Sequence, residues 1–209
     1  MEEPAATVFV VDDDPDLLRA IERLLQSVGL DVATFGSPQE FLERYDRNAA
    51  GCLVLDLAMP GLTGLELQQL LEQQASHLPI VFLSGRGDIA TSVQAMKHGA
   101  ADFLTKPVDD TELLAAIRLA LDEDRARRRV RVEQERVAKC LASLTERERQ
   151  VLEQIVEGRL NKQIAAALGT VEKTVKFHRA NLMHKMGART VADLVKLAGR
   201  AGIGTSPEG

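Results

Sequence analysis

The chain has 209 residues, enough for one or two domains that each bury a core. Its 45% hydrophobic and 27% charged content is that of ordinary globular protein, and with only 3% aromatics the cores must rest on Leu, Val, Ile and Ala. The net charge of -5 hides a division, with 8 Lys+Arg against 19 Asp+Glu in residues 1–121 and 18 against 12 in residues 122–209. An acidic front ahead of a basic back suits a metal or phosphate site followed by a polyanion-binding module. The two cysteines, Cys52 and Cys140, are far apart and exclude a disulfide framework or a zinc spacing. No uninterrupted apolar stretch reaches transmembrane length.

Residues 7–121 read as five strand–helix units. The first strand spans about 7–12; Asp14-Pro15 then opens a helix with a capping side chain and a proline at its first position, ending near Gly29. A second strand covers about 31–35, and Ser37-Pro38-Gln39-Glu40 is a capping box for the second helix. The third strand is 52–56, and Thr63-x-x-Glu66 boxes the third helix. The fourth strand is 79–84, the fourth helix about 88–98 and the fifth strand 101–104; a fifth helix begins after Asp109-Asp110. Cys52 lies inside an apolar run and is expected in the core.

From residue 122 the composition changes. Residues 122–142 are charged, rich in Arg and free of Gly and Pro, so they read as a helical linker continuing the fifth helix, about 33 Å long. Most of its side chains read as solvated, while Val130, Val137, Leu141 and Leu144 recur at helical spacing as a packing seam. Residues 143–200 read as four short helices. Thr145-x-x-Glu148 caps the first, which ends at Gly158. Asn161 caps the second, Lys162 to Leu168. The third runs from about 171 to Met186, with Thr170 as its expected cap, and Thr190-x-x-Asp193 caps the fourth. A short helix, a turn containing Gly and a longer basic helix form a helix-turn-helix signature. Residues 201–209 read as a disordered tail.

In the first half, chemistry-bearing side chains follow apolar runs. Asp12 and Asp13 follow Val8-Phe9-Val10-Val11, and Asp56 follows Leu53-Val54-Leu55. Ser84 follows Val81-Phe82-Leu83, and Lys106 follows Phe103-Leu104-Thr105. Apolar runs alternating with amphipathic segments predict buried parallel strands, and in such sheets the site lies beyond the carboxyl ends of the strands. Three carboxylates, a hydroxyl and an ammonium are thus expected to converge. This set suits a hard divalent cation and a phosphoryl group, with Asp13, Asp56 and the Ala58 carbonyl as oxygen ligands.

These motifs (Val11-Asp12-Asp13, Leu55-Asp56-x-x-Met59-Pro60-Gly61, Ser84-Gly85 and Lys106-Pro107) resemble the receiver domain of two-component response regulators across residues 7–121. The resemblance implies a flavodoxin-like α/β fold with five parallel strands in the order 2-1-3-4-5. It implies that a sensor histidine kinase phosphorylates Asp56, that Asp12 and Asp13 hold Mg²⁺ (Mn²⁺ substituting), and that Lys106 pairs with the phosphoryl oxygens. It further implies a cis Lys106-Pro107 peptide and a switch in which Ser84 bonds the phosphoryl group and Phe103 fills the vacated space. Asp14 is expected only to cap its helix.

Residues 143–200 resemble the LuxR/NarL/FixJ-type DNA-binding domain through Thr145-Glu146-Arg147-Glu148, Asn161-Lys162-x-Ile164-Ala165 and Thr174-Val175-Lys176-x-His178. An all-α four-helix domain binding double-stranded DNA as a dimer is therefore expected. Val175, Leu182 and Met186 are expected in its core. Lys162, Lys173, Thr174, Lys176, Phe177, Arg179 and Ala180 are the candidate DNA contacts, lysines to phosphate or guanine and apolar groups to thymine methyls.

The expectation is a cytoplasmic transcriptional regulator, an activator by resemblance, that dimerises on phosphorylation and works with RNA polymerase. A receiver serving only as a phosphate-independent dimerisation module is one alternative. A haloacid-dehalogenase-like phosphatase is another, since Asp12-x-Asp14, Ser84, Lys106 and Asp109-Asp110 imitate its order. That reading leaves Asp56 and the basic helix unexplained.

Overall fold

The computed structural model describes residues 5–85, 95–200 and 202–203. The chain divides into two compact units, Met1–Arg128 and Arg129–Gly209.

The N-terminal unit is built on β1 (Thr7–Val11), β2 (Asp31–Phe35), β3 (Gly51–Asp56), β4 (Ile80–Ser84) and β5 (Asp102–Thr105). They form one parallel sheet in the order β2-β1-β3-β4-β5. Three helices intervene, α1 (Pro15–Ser27), α2 (Pro38–Arg44) and α3 (Gly64–Gln73). The fourth expected helix lies largely outside the described residues, although Ala95 to Lys97 are helical. The fifth, α4, runs from Asp110 to Ala142.

Alternation along the strands sorts the core into two layers. Val8, Val10, Cys52, Val54, Val81 and Leu83 point to one face, where Ile21 and Leu25 of α1 and Leu113, Ile117 and Leu121 of α4 cover them. Phe9, Val11, Leu53, Leu55 and Phe82 point to the other, beneath Phe41 of α2 and Leu67 and Leu71 of α3. Four aromatic rings touch one another in this layer, Phe41 stacking on Tyr45 with centroids 4.8 Å apart and Phe9 and Phe35 meeting them edge-on. Cys52 is fully buried, and burial pushes its thiol up to about 12.

The caps mostly follow the sequence. Asp14 accepts from the Asp16 and Leu17 amides, and the boxes of Thr63 with Glu66 and Thr145 with Glu148 are both complete. At α2 the box is displaced. Ser37 accepts from the Glu40 amide, but the Glu40 carboxylate reaches past it to the Gly36 amide.

The C-terminal unit holds the rest of α4 with α5 (Glu146–Val156), α6 (Asn161–Ala167), α7 (Glu172–Met186) and α8 (Val191–Arg200). Val137, Leu144, Val151, Leu152, Ile164, Val175, Leu182 and Leu194 form its core. Two expected caps are corrected. Asn161 lies inside α6, whose cap is Leu160, because the Gln163 side chain accepts from the Leu160 amide and does the capping instead. Val171, not Thr170, caps α7, with no side-chain bond. The proposed seam also shortens, since Val130 is 58% exposed while Val137, Leu141 and Leu144 pack into the core.

Among the described glycines, Gly51 leaves the least room for a side chain. Its φ is +149°, and a Cβ there would lie 1.8 Å from the Thr7 carbonyl oxygen. Gly51→Ala is therefore expected to lower the unfolding free energy by more than about 3 kcal/mol, beyond the range of most point changes. Denaturant titration checks this, and a loss below about 1 kcal/mol would mean that β1 and β3 separate there at little cost.

Candidate metal centre and nucleic-acid interface

The chain runs from β1 to β2 on one side and returns to β3 on the other, so the topological switch lies between β1 and β3. Asp12 follows β1 and Asp56 ends β3, which puts both carboxylates at that point. Asp12 is fully buried and Asp56 is 5% exposed, whereas Asp13 is open to solvent. Oxygens of the three lie within 4.8 Å of one another. Close passage of the next helix supports the site from behind. Gly64 opens α3 where a Cβ would lie 2.4 Å from the Asp56 carbonyl oxygen.

Lys106, just beyond β5, supplies the compensating charge. Its Nζ lies 2.6 Å from Asp12 and 3.0 Å from Asp56. Burial lowers the ammonium's pKa, but hydrogen bonds to Asp12 and Asp56 outweigh it and hold the group above its ordinary value. Burial raises the Asp12 carboxyl despite Lys106 and the Asp14 amide, which donates to it over 2.9 Å. The Lys106-Pro107 peptide is cis.

Three carboxylates, two of them buried, against one ammonium leave negative charge uncompensated, and the donors are all hard oxygens. The residues present therefore fit Mg²⁺, with Asp12, Asp13 and Asp56 as the carboxylate set. Ala58 lies exposed two residues past β3. Ser84, at the end of β4, is buried, and its hydroxyl donates to the Gly85 carbonyl over 3.0 Å. Phe103 is half-buried against the core, paired in register with Phe82, two residues before Ser84 in the neighbouring strand.

In the C-terminal unit, α6 and α7 are separated by Leu168 to Val171. Val175, Leu182 and Met186 bury one side of α7. Lys173, Lys176, Phe177 and Ala180 are exposed on the other, Lys162 is exposed on α6, and Thr174 and Arg179 are half-buried. Phe177 is 62% exposed, which removes it from the core. Its ring meets that of His178 edge-on at 5.8 Å. Lys176 lies 3.3 Å from the Glu172 carboxylate on the same face.

One pair escaped the sequence reading. Lys185, near the end of α7, bonds the buried Glu148 carboxylate at 2.7 Å and the Ser143 carbonyl at 3.0 Å. Glu148 announces itself as half of a capping box. Its second partner, 37 residues away, has no local signature.

Comparison with known proteins covers both units. The family described as response regulator receiver domain matches residues 8–118, and that described as bacterial regulatory proteins, luxR family, matches residues 142–198. Nodulation protein W of Bradyrhizobium diazoefficiens is 44% identical over 198 residues, which is 95% of this chain and 87% of that protein. Response regulator protein TodT of Pseudomonas putida is 42% identical over 200 residues, 96% of this chain and 88% of that protein. The solved structure of the response regulator StyR superposes with a TM-score of 0.88 at 45% identity, covering 94% of this chain and 99% of that one.

Hydrogen bonds from Lys185 and from the Thr145 amide hold the Glu148 carboxyl below its ordinary pKa. A depressed acid stabilises the fold above the ordinary carboxylate range and loses that contribution as pH falls through the depressed value. Glu148→Gln is thus expected to cost roughly 1–3 kcal/mol at neutral pH, the toll of leaving Lys185 without its charged partner. That deficit shrinks as wild type loses the same interaction below about pH 4. Hydrogen exchange in α5 and α7 across pH checks it; a deficit independent of pH would mean that the pair's charge is irrelevant.

Proposed function

Since the chain belongs to the two-component response regulators, with a receiver domain followed by a LuxR-type DNA-binding domain, we propose that phosphorylation of Asp56 controls its binding to double-stranded DNA. The family comprises transcriptional regulators, not enzymes, so the phosphatase alternative falls. A sensor kinase and DNA are the partners that this domain pair implies.

The observation that carries the reading is the Lys106 ammonium between the Asp12 and Asp56 carboxylates at the switch point. The Asp56 oxygen is the nucleophile toward the phosphoryl group of a sensor histidine kinase. Asp12, Asp13, Asp56 and the Ala58 carbonyl would hold Mg²⁺ or, in its place, Mn²⁺, which would supply positive charge against the transferring group. Lys106 turns from the free carboxylate to the phosphoryl oxygens. The Ser84 hydroxyl leaves the Gly85 carbonyl for the phosphoryl dianion, and Phe103 moves into the space that opens. We assign residues 1–121 to the receiver, 122–142 to the linker and 143–200 to the DNA-binding domain.

Phosphorylation favours a homodimer whose two α7 helices enter successive major-groove faces about ten base pairs apart. Lys162, Lys173, Lys176 and Arg179 contact phosphate or guanine, and Thr174, Phe177 and Ala180 contact base edges or methyls. The protein acts in the cytoplasm as an activator that engages RNA polymerase. Among the described residues no helix is long and apolar enough to cross a membrane.

Incubation with acetyl phosphate and Mg²⁺ is expected to add one phosphoryl mass to the wild type and none to Asp56→Asn. An adduct on both, or on neither while the chain stays folded, overturns the assignment and favours a phosphate-independent DNA-binding protein.

Lys176→Ala should reduce the slope of log affinity against log salt on a mixed-sequence duplex by about one ion. An unchanged slope would take Lys176 off the phosphate backbone.

A further inference from the structure

The two family matches end at residue 118 and resume at residue 142, and between them α4 makes a polar attachment that neither match covers. The last apolar anchor of α4 on the sheet is Leu121. One turn further on, Asp124 is only 4% exposed, and its carboxylate accepts the Gly51 amide over 3.0 Å. Arg128 closes the arrangement. Its Nε donates to Asp124 at 2.7 Å, its Nη1 to the Asn48 carbonyl at 2.9 Å and its Nη2 to the Ala49 carbonyl. Arg127 adds a bond to the His77 carbonyl at 3.3 Å.

The attachment is directional. Apolar packing alone lets a helix slide or roll on a sheet, whereas a guanidinium fork with three acceptors fixes both rotation and height. It also grips a special residue. Gly51 begins β3 and Asp56 ends it, so the clasp and the phosphoacceptor sit at opposite ends of one fully buried strand, about 17 Å apart at the usual rise. Gly51 admits no side chain, because a Cβ would strike the Thr7 carbonyl. Its position is held from one side by β1 and from the other by Asp124.

Resting on the phosphoacceptor reading above, we propose that Asp124 and Arg128 are positioning residues that make α4 as far as Arg128 part of the receiver, so that the linker is driven from Arg128 and not from the end of the apolar core. They touch neither phosphoryl group nor DNA. They carry the change in β3 and its surroundings into the helix that leads to the DNA-binding domain. Without them α4 loosens beyond Leu121, and the phosphorylated and unphosphorylated receivers present the same linker to the DNA-binding domain.

The test is the ratio of DNA affinities with and without phosphorylation by acetyl phosphate, on a duplex selected from a random library with the wild-type chain. Couplings of this kind are usually about 5- to 150-fold. Arg128→Ala and Asp124→Asn are expected to bring the ratio below about twofold, with Asp56 phosphorylation as in wild type and a receiver that, although less stable for the loss of a buried charge pair, stays fully folded under the assay conditions. Arg128→Lys, which keeps the charge but loses the fork, is expected to fall between them and wild type. A high wild-type ratio that survives in both variants overturns the clasp while leaving the phosphoacceptor reading intact. So does a loss of ratio that only tracks a loss of phosphorylation or of folded receiver. A wild-type ratio of one overturns the coupling together with the reading beneath it.

Discussion

The N-terminal unit depends on one ammonium placed among three carboxylates. Burying Asp12 and Asp56 side by side costs several kcal/mol per ion unless an opposite charge meets them. Lys106 meets both. It can do so only if the ends of β1, β3 and β5 lie at one level, and the parallel register supplies that. The compensation is incomplete by design of the residue set, three negative charges against one positive. The carboxylate oxygens gathered there are hard donors, the set that suits a divalent cation. Lys106 thus holds the two buried carboxylates together while the site keeps an excess of negative charge.

The same strand that ends in Asp56 transmits its constraint backwards. All six residues of β3 are buried, and its alternate side chains lock into the two apolar layers. Cys52 and Val54 face α1 and α4, while Leu53 and Leu55 face α2 and α3. A strand held on both faces and both edges has little freedom to move by itself. Whatever grips its first residue is coupled to whatever alters its last, and Gly51 is gripped through its backbone amide by a carboxylate from a helix 73 residues further along.

Much of this was legible in the residues. Strand ends are legible within one residue because four of the five strands close an apolar run on a polar group, at Asp12, Asp56, Ser84 and Lys106, and the sheet's topology gathers those groups. Caps were legible wherever a short side chain could reach its own backbone, as at Asp14, Thr63, Thr145 and Thr190. The reading departs at α6, where Gln163 and not Asn161 meets the Leu160 amide, and at α2 only in the second half of the box, where the Glu40 carboxylate takes the Gly36 amide while Ser37 caps as expected. Asp124 and Arg128 fall in the stretch whose side chains mostly read as solvated, and their i,i+4 spacing is that of an ordinary surface pair. Nothing local marks the carbonyls of Asn48 and Ala49 or the amide of Gly51 as their partners. Contacts across dozens of residues between backbone atoms and a charged side chain leave no periodic trace.

Two lysine–glutamate pairs on α7 show how burial, not chemistry, divides the roles of the C-terminal unit. Lys185 with Glu148 joins the end of α7 to the start of α5, and Glu148 is 4% exposed at its side chain. Breaking that pair strands a buried charge, so it serves to hold the helix in its orientation. Lys176 with Glu172 has side chains 65% and 49% exposed. An exposed pair of this kind contributes at most about 1 kcal/mol and is screened by salt. A phosphate oxygen can displace Glu172 from Lys176 at little expense, while releasing condensed counterions from the duplex. The helix therefore keeps rigid the lysine that orients it and leaves available the lysine that faces outward.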